Sequence, residues 1–190
     1  MQVTSGRAAA LLLVLATAVL VAGCGGSSRP HHTAAGDRRS ASGRVASTAP
    51  PPSRFLQVDA RRHRVTISLI ASYDGENGGY NFDGYSRFLM WTVPRGWTVR
   101  VVCENRGSLR HSCAIVDGPD STAPAFSGAV TPQAQIGLAG GQTAHFAFRA
   151  SKTGVYRFVC LVPGHEEARM WDVFKVARGG KPSVIDLRAG

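Results

Sequence analysis

The sequence predicts an all-β domain: an antiparallel β-sandwich of about seven to eight short strands over residues 54–190. Three observations predict it. Apolar residues recur at every second position in run after run, so each run can bury one face of a strand. Turn residues separate the runs at Asp74-Gly75, Asn77-Gly78-Gly79, Asp83-Gly84, Pro94-Arg95-Gly96, Asp117-Gly118-Pro119, Gly140-Gly141 and Gly179-Gly180. No segment carries a capped amphipathic helix of about ten residues, and 166–170 has room for a single turn only.

The chain before the domain has two parts. Residues 1–23 read as an export signal, because Arg7 is the only charge ahead of a continuous apolar run from Ala8 to Ala22. That run is shorter than the ~20 residues that span a bilayer comfortably, and no cluster of charges closes it. It ends in Val21-Ala22-Gly23-Cys24, which resembles the lipobox of bacterial lipoproteins. Cys24 is therefore the expected site of lipid attachment, with ordinary cleavage near Ala22 as the alternative. Residues 24–53 are rich in Gly, Ser, Pro, Arg and His and end in Pro50-Pro51-Pro52. They hold too little apolar surface to offset the entropy of ordering, so they read as a tether in which His31 and His32 are solvated.

Within the domain, 64–70, 97–103, 144–149, 155–160 and 170–176 alternate, and 113–116 is a short apolar run. Residues 88–93 are more uniformly apolar, as a central strand is. Residues 121–137, rich in Ala, Pro and Ser, read as a long connection between sheets, with 130–138 expected to supply part of an edge strand. At about 135 residues, the domain is large enough for one filled core.

The formal net charge is +10, from 22 Lys and Arg against 12 Asp and Glu. A nucleic-acid partner is not the reading: the arginines are scattered through tether and domain and form no stripe with aromatics. A basic surface facing anionic lipid headgroups or an acidic redox partner fits an exported protein, and a general preference for Arg is the bland alternative.

Chemistry concentrates in Cys160-Leu-Val-Pro-Gly-His165-Glu-Glu-Ala-Arg-Met170, at the end of an alternating run. A thiolate, an imidazole and a thioether at that spacing match three of the four ligands of a blue-copper site, two His and one Cys in a plane with a weak axial Met. A second His must come from elsewhere. His31 and His32 lie in the tether, His63 sits among Arg61, Arg62 and Arg64, and His145 alternates against inward Ala144, Phe146 and Phe148. His111 remains, at the head of the 113–116 run. A buried structural Cys would leave the His and Met unexplained. Zinc is poorly served by a thioether, and a Cys/His hydrolase would need an orienting group and an oxyanion hole that this loop does not offer.

Asn105 to His111, the segment from Gly154 through Cys160 to Pro163-Gly164-His165, and the pair Met170-Trp171 together resemble the cupredoxins, and the sulfocyanin-like and rusticyanin-like members in particular. Tyr80-Asn-Phe-Asp-Gly84 and Pro94-Arg-Gly96-Trp97 extend the resemblance over about 65–176. It implies a Greek-key sandwich and one type 1 copper held by His111, Cys160, His165 and Met170. It also implies that the Ser112 N–H donates to the Cys160 sulfur, and it marks Asn105 as a supporting residue. His165 is the expected exposed ligand, with Leu161, Val162 and Pro163 forming an apolar electron-exit patch. Two residues depart from the pattern: Arg169 stands where Gly usually precedes the axial Met, and Arg110 where Pro often precedes the first His.

Cys103 and Cys113 both face the core by strand parity, as a disulfide in an oxidising compartment or as two buried thiols. The functional expectation is a monomeric, lipid-anchored carrier of single electrons outside the cytoplasmic membrane, exchanging them with protein partners of a respiratory chain, and not an enzyme. Copper sequestration or delivery is the alternative. A copper oxidase would need further His-X-His sites, which the sequence lacks.

Overall fold

In the computed structural model the described residues are 49–189. Nine strands form two sheets: β1 (Leu56–Asp59), β2 (Arg64–Ala71), β3 (Leu89–Pro94), β4 (Thr98–Asn105), β5 (Ala114–Val116), β6 (Thr143–Arg149), β7 (Gly154–Val159), β8 (Trp171–Ala177) and β9 (Ser183–Asp186). The described residues contain three short 3-10 turns and no α-helix.

The first sheet runs β1-β2-β4-β6 and the second β5-β7-β8-β3-β9. Both are mixed: β2 pairs in parallel with β4, and β3 in parallel with β8, while the other pairings are antiparallel. The expectation of purely antiparallel sheets is corrected here. The chain leaves the first sheet after β2, runs through β3 in the second and returns as β4, and two reversals restore the original direction. Alternation along a strand carries no record of such a crossing. The two strands beyond the five alternating and two apolar runs are β1 and β9, four residues each at sheet edges. The anticipated edge strand in 130–138 does not form; it contributes only isolated bridges, Ala114 with Val130 and His111 with Leu138. Pro132 lacks an N–H, and Gly137 sits at φ +79°, so the segment cannot continue a ladder.

The core lies between the sheets. Alternate residues of β2 (Val65, Ile67, Leu69), β3 (Leu89, Trp91, Val93) and β4 (Val99, Val101, Cys103) are buried. Against them pack Phe158 and Phe174, with ring centroids 5.0 Å apart, and Trp91 stands edge-on to Phe158 at 6.0 Å. Each such side chain contributes about 1.5–3 kcal/mol through burial, the term that holds both sheets face to face. The packed chain begins ahead of Arg54, since Ala49 packs against the core and the Tyr85 hydroxyl donates to the Pro50 carbonyl.

Two carboxyls lie wholly inside. Asp83 accepts from the Ile70 N–H at 2.8 Å and Asp172 from the Leu89 N–H at 3.0 Å. The second oxygen of each has no hydrogen-bond partner, and burial pushes both carboxyls well above their ordinary range.

Candidate metal centre

Cys160 directly follows β7, whose inward residues Tyr156 and Phe158 are buried, and the period of two carries its sulfur inward as well. Because β7 and β8 pair with Val159 opposite Trp171, the intervening loop closes on itself. The Cys160 N–H donates to the Met170 carbonyl at 3.2 Å, the Met170 N–H to His165 at 3.0 Å, and the His165 N–H to Val162 at 3.1 Å. Residues 164–169 form the expected turn, with Ala168 N–H donating to Gly164 and Arg169 N–H to Glu166. Arg169 has φ +68°, the left-handed conformation that glycine adopts without a Cβ penalty. The departure from the family pattern therefore keeps the backbone of the loop, and Met170 remains fully buried.

His111 arrives from a separate segment. A disulfide joins Cys103, near the end of β4, to Cys113, ahead of β5, with Cα atoms 6.1 Å apart. Of the two states open to these cysteines, the bridge is the one present, and it spans the stretch that carries His111. Asn105, fully buried, donates to the carbonyls of Leu109 at 2.7 Å and Leu138 at 2.8 Å, and its own Oδ1 accepts from the Gly107 N–H. His111 and Leu138 exchange backbone hydrogen bonds in both directions. Gly137 is required beside them: a Cβ there would lie 2.7 Å from Val162 and 3.0 Å from the His111 backbone.

These constraints bring three ligand atoms together. The Cys160 Sγ lies 3.3 Å from His165 Nδ1 and 3.9 Å from His111 Nδ1, and the two Nδ1 atoms are 3.2 Å apart. The Ser112 N–H donates to the Cys160 sulfur at 3.2 Å, as the resemblance implies, while the Ser112 hydroxyl accepts from the Leu161 N–H at 2.8 Å. Burial and then the neighbouring His165 lower His111 to about 4; burial lowers His165 and raises the Cys160 thiol. The imidazoles are thus neutral and ready to ligate, and the thiol must lose its proton to do so. Two convergent imidazole nitrogens, one sulfur and a buried thioether on the same loop are a donor set that fits one copper ion.

Exposure departs from expectation at His165. It is buried, at 8 % exposed against 0 % for His111, so the pair keeps its order but neither ring stands open. Tyr80 packs against both rings, meeting His165 edge-on at 4.9 Å and His111 at 6.4 Å. Of the exit patch, Leu161 is buried, Val162 half-buried and Pro163 exposed. His63 and His145 are exposed and distant in the fold, while His31, His32 and Cys24 lie outside the described residues. The sequence reading missed Ser72, whose hydroxyl lies 2.9 Å from His111 Nε2, and Asn77, whose amide donates to Ala168 in the ligand loop at 2.6 Å. The Asn77-Gly78-Gly79 turn was the available signal, but nothing in it pointed to a metal.

Residues 51–180 match the family model of the Sulfocyanin (SoxE) domain. Among curated relatives, the copper-resistant cuproprotein CopI of Rubrivivax gelatinosus is 33 % identical over 85 residues, covering 42 % of this chain and 52 % of its own. The sulfocyanin of Sulfolobus acidocaldarius is 28 % identical over 122 residues, covering 57 % of this chain and 61 % of its own. The aligned part thus spans between about half and three fifths of the curated relatives. Among solved structures, reduced auracyanin from Roseiflexus castenholzii is 27 % identical with a TM-score of 0.44, covering 59 % of this chain and 96 % of that one. Rusticyanin from Thiobacillus ferrooxidans is 21 % identical with a TM-score of 0.47, covering 65 % and 86 %. The family match takes in β1 to β8 and every ligand-bearing segment, and so this chain belongs to the sulfocyanin domain family of cupredoxins, with one type 1 copper as its cofactor.

Proposed function

We propose that this protein carries single electrons outside the cytoplasmic membrane, held to that membrane through Cys24 and the 24–53 tether, and that it turns over no substrate of its own. The observation that carries the reading is the convergence of His111 Nδ1, His165 Nδ1 and Cys160 Sγ with their ligand atoms all within 4.8 Å of one another. Bound there, copper supplies a one-electron couple whose two oxidation states prefer different geometries. The protein's part is to hold one intermediate arrangement. Cys160 provides the thiolate, steadied by the Ser112 N–H. His111 would provide the deep imidazole, His165 the shallower one and Met170, fully buried on the same loop, the thioether.

Electron exchange follows at the rim, where Val162 and Pro163, backed by the buried Leu161, form a small apolar surface suited to brief encounters with redox partners of a respiratory chain. Asp120 and Glu167 line the cleft beside it, together with Glu166, whose charge Arg157 already pairs at 2.6 Å. The Cys103–Cys113 disulfide favours an oxidising compartment. Among the described residues no helix is long and apolar enough to cross a membrane. The proposed anchoring draws on Val21-Ala22-Gly23-Cys24 alone. Among the described residues His111, Cys160 and His165 are the one group of this kind.

Loading the metal-free protein with Cu(II) tests the reading. It predicts intense blue absorption with the narrow copper hyperfine splitting of a type 1 site, both lost in Cys160→Ser. A pale type 2 spectrum, or a blue band surviving that substitution, overturns it.

Similarity to the copper-resistant cuproprotein favours a second reading, copper sequestration or delivery. Release to a chelator separates the two: a carrier whose ligands His111 and Met170 are wholly buried retains copper over hours, whereas a delivery protein surrenders it in minutes.

A further inference from the structure

We propose that Ser72 is a positioning residue that fixes the tautomer of His111 and so decides which imidazole nitrogen faces the metal. The proposal rests on the copper reading for its purpose, but its evidence is geometric. The Ser72 hydroxyl has a single proton. Its oxygen lies 2.7 Å from the Gly79 carbonyl, which can only accept, so that proton is committed there. The same oxygen lies 2.9 Å from His111 Nε2. With its proton given to Gly79, Ser72 can only accept from the ring, and Nε2 must carry the hydrogen. Nδ1 is then bare, and it is Nδ1 that converges with His165 Nδ1 and Cys160 Sγ.

The surroundings hold Ser72 to this task. It sits at φ +51°, with its N–H donating to the Asn81 carbonyl at 3.0 Å. Gly107 packs against its side chain so closely that a Cβ there would collide with the Ser72 hydroxyl. The acceptor, Gly79, belongs to the 76–79 turn, and this same turn reaches the other ligand loop through Asn77 and Ala168. One strap, 72–80, therefore orients His111 through a chain of hydrogen bonds and braces the Cys160–Met170 loop. Partners that fix a ligand imidazole in this way typically affect metal affinity by about 10–100-fold.

The test reads the tautomer directly, by long-range nitrogen–proton correlation of His111 in the metal-free full chain. Wild type is expected to show Nε2–H with Nδ1 unprotonated. Ser72→Gly, which keeps the left-handed backbone without strain, is expected to lose that single form to a mixture of tautomers. Gly107→Ala, which displaces the hydroxyl without altering Ser72, should do the same. In both variants the copper-loaded protein is expected to release copper to a chelator about 10–100-fold faster. A proton on Nδ1 in wild type overturns the proposal. So does an unchanged tautomer in both variants, whatever the release rate, because that outcome leaves Ser72 a packing role only. The tautomer is read without metal, so failure of the proposal is distinct from failure of the blue-copper reading, which the wild-type Cu(II) spectrum decides.

Discussion

The two arms of the copper site are built in opposite ways. The Cys160–Met170 loop brings three ligands within eleven residues and closes through its own backbone hydrogen bonds at the mouth of the β7–β8 pair. The His111 arm brings one ligand and holds it by long-range means: a disulfide, backbone bonds to Leu138, the Asn105 amide and the Ser72 hydroxyl, 39 residues away. Local closure makes a loop whose composition can be read directly. A ligand imported from a distant segment needs crosslinks, because nothing in its own neighbourhood fixes where it points.

That contrast can be broken most severely at the disulfide. The double substitution Cys103→Ser with Cys113→Ser is expected to cost about 3 kcal/mol of stability, the loop-closure entropy of a bridge with a sequence separation of 10. Urea unfolding with and without reductant measures it. Reductant should reproduce the loss in wild type and change nothing in the double variant.

A smaller effect separates the foundations of the two arms. Asp83 pins the end of β2 beneath the Ser72 strap, as Asp172 pins β3 beside the ligand loop. Asp83 has a folded-state value raised well above the ordinary carboxyl range by burial, so the folded protein holds its proton more tightly than the unfolded chain. Its contribution to stability is therefore complete below pH of about 4 and is lost as pH rises through the raised folded value. Asp83→Asn keeps the acceptor for the Ile70 N–H and does not titrate. We expect it to flatten the fall in melting temperature between acid and neutral pH. Equal slopes in the two proteins would rule this out.

Two changes in the loop sharpen the comparison further. Met170→Leu nearly conserves volume, so it should alter stability by no more than about 1.5 kcal/mol. It should leave the blue band in place while shifting the reduction potential, since the axial ligand tunes potential and the equatorial set makes the colour. Protein-film voltammetry reads that shift, and loss of colour would mean that Met170 does more than tune. Arg169→Gly relieves a left-handed arginine at φ +68° and should stabilise by about 1 kcal/mol at most, part of the gain being offset by the freer unfolded chain. A destabilised Arg169→Gly would show that the arginine side chain makes a contact worth more than its backbone strain.

Much of this molecule was legible beforehand, for reasons that differ from element to element. Strands β2, β4 and β8 were legible because each buries one face, writing a period of two into the chain. β1 and β9 were not, since four-residue edge strands that are half exposed carry too short a pattern. Residues 130–138 carried apolar residues without a strand, because Pro132 and Gly137 interrupt the ladder. Arg169 was visible as an anomaly, but only its dihedral angle explained why the family favours glycine there.

By itself the sequence determined the β class, the three-ligand loop and, by elimination among six histidines, the fourth ligand, because donor chemistry and short spacing are properties of residue types. Tertiary structure alone decided the parallel pairings, the packing of Tyr80 against His165, the closed Cys103–Cys113 bridge and the reach of Ser72 to His111. These are contacts between residues far apart in the chain. A hydroxyl and an imidazole leave no mark on each other's sequence neighbourhood until two sheets pack and bring them within 2.9 Å.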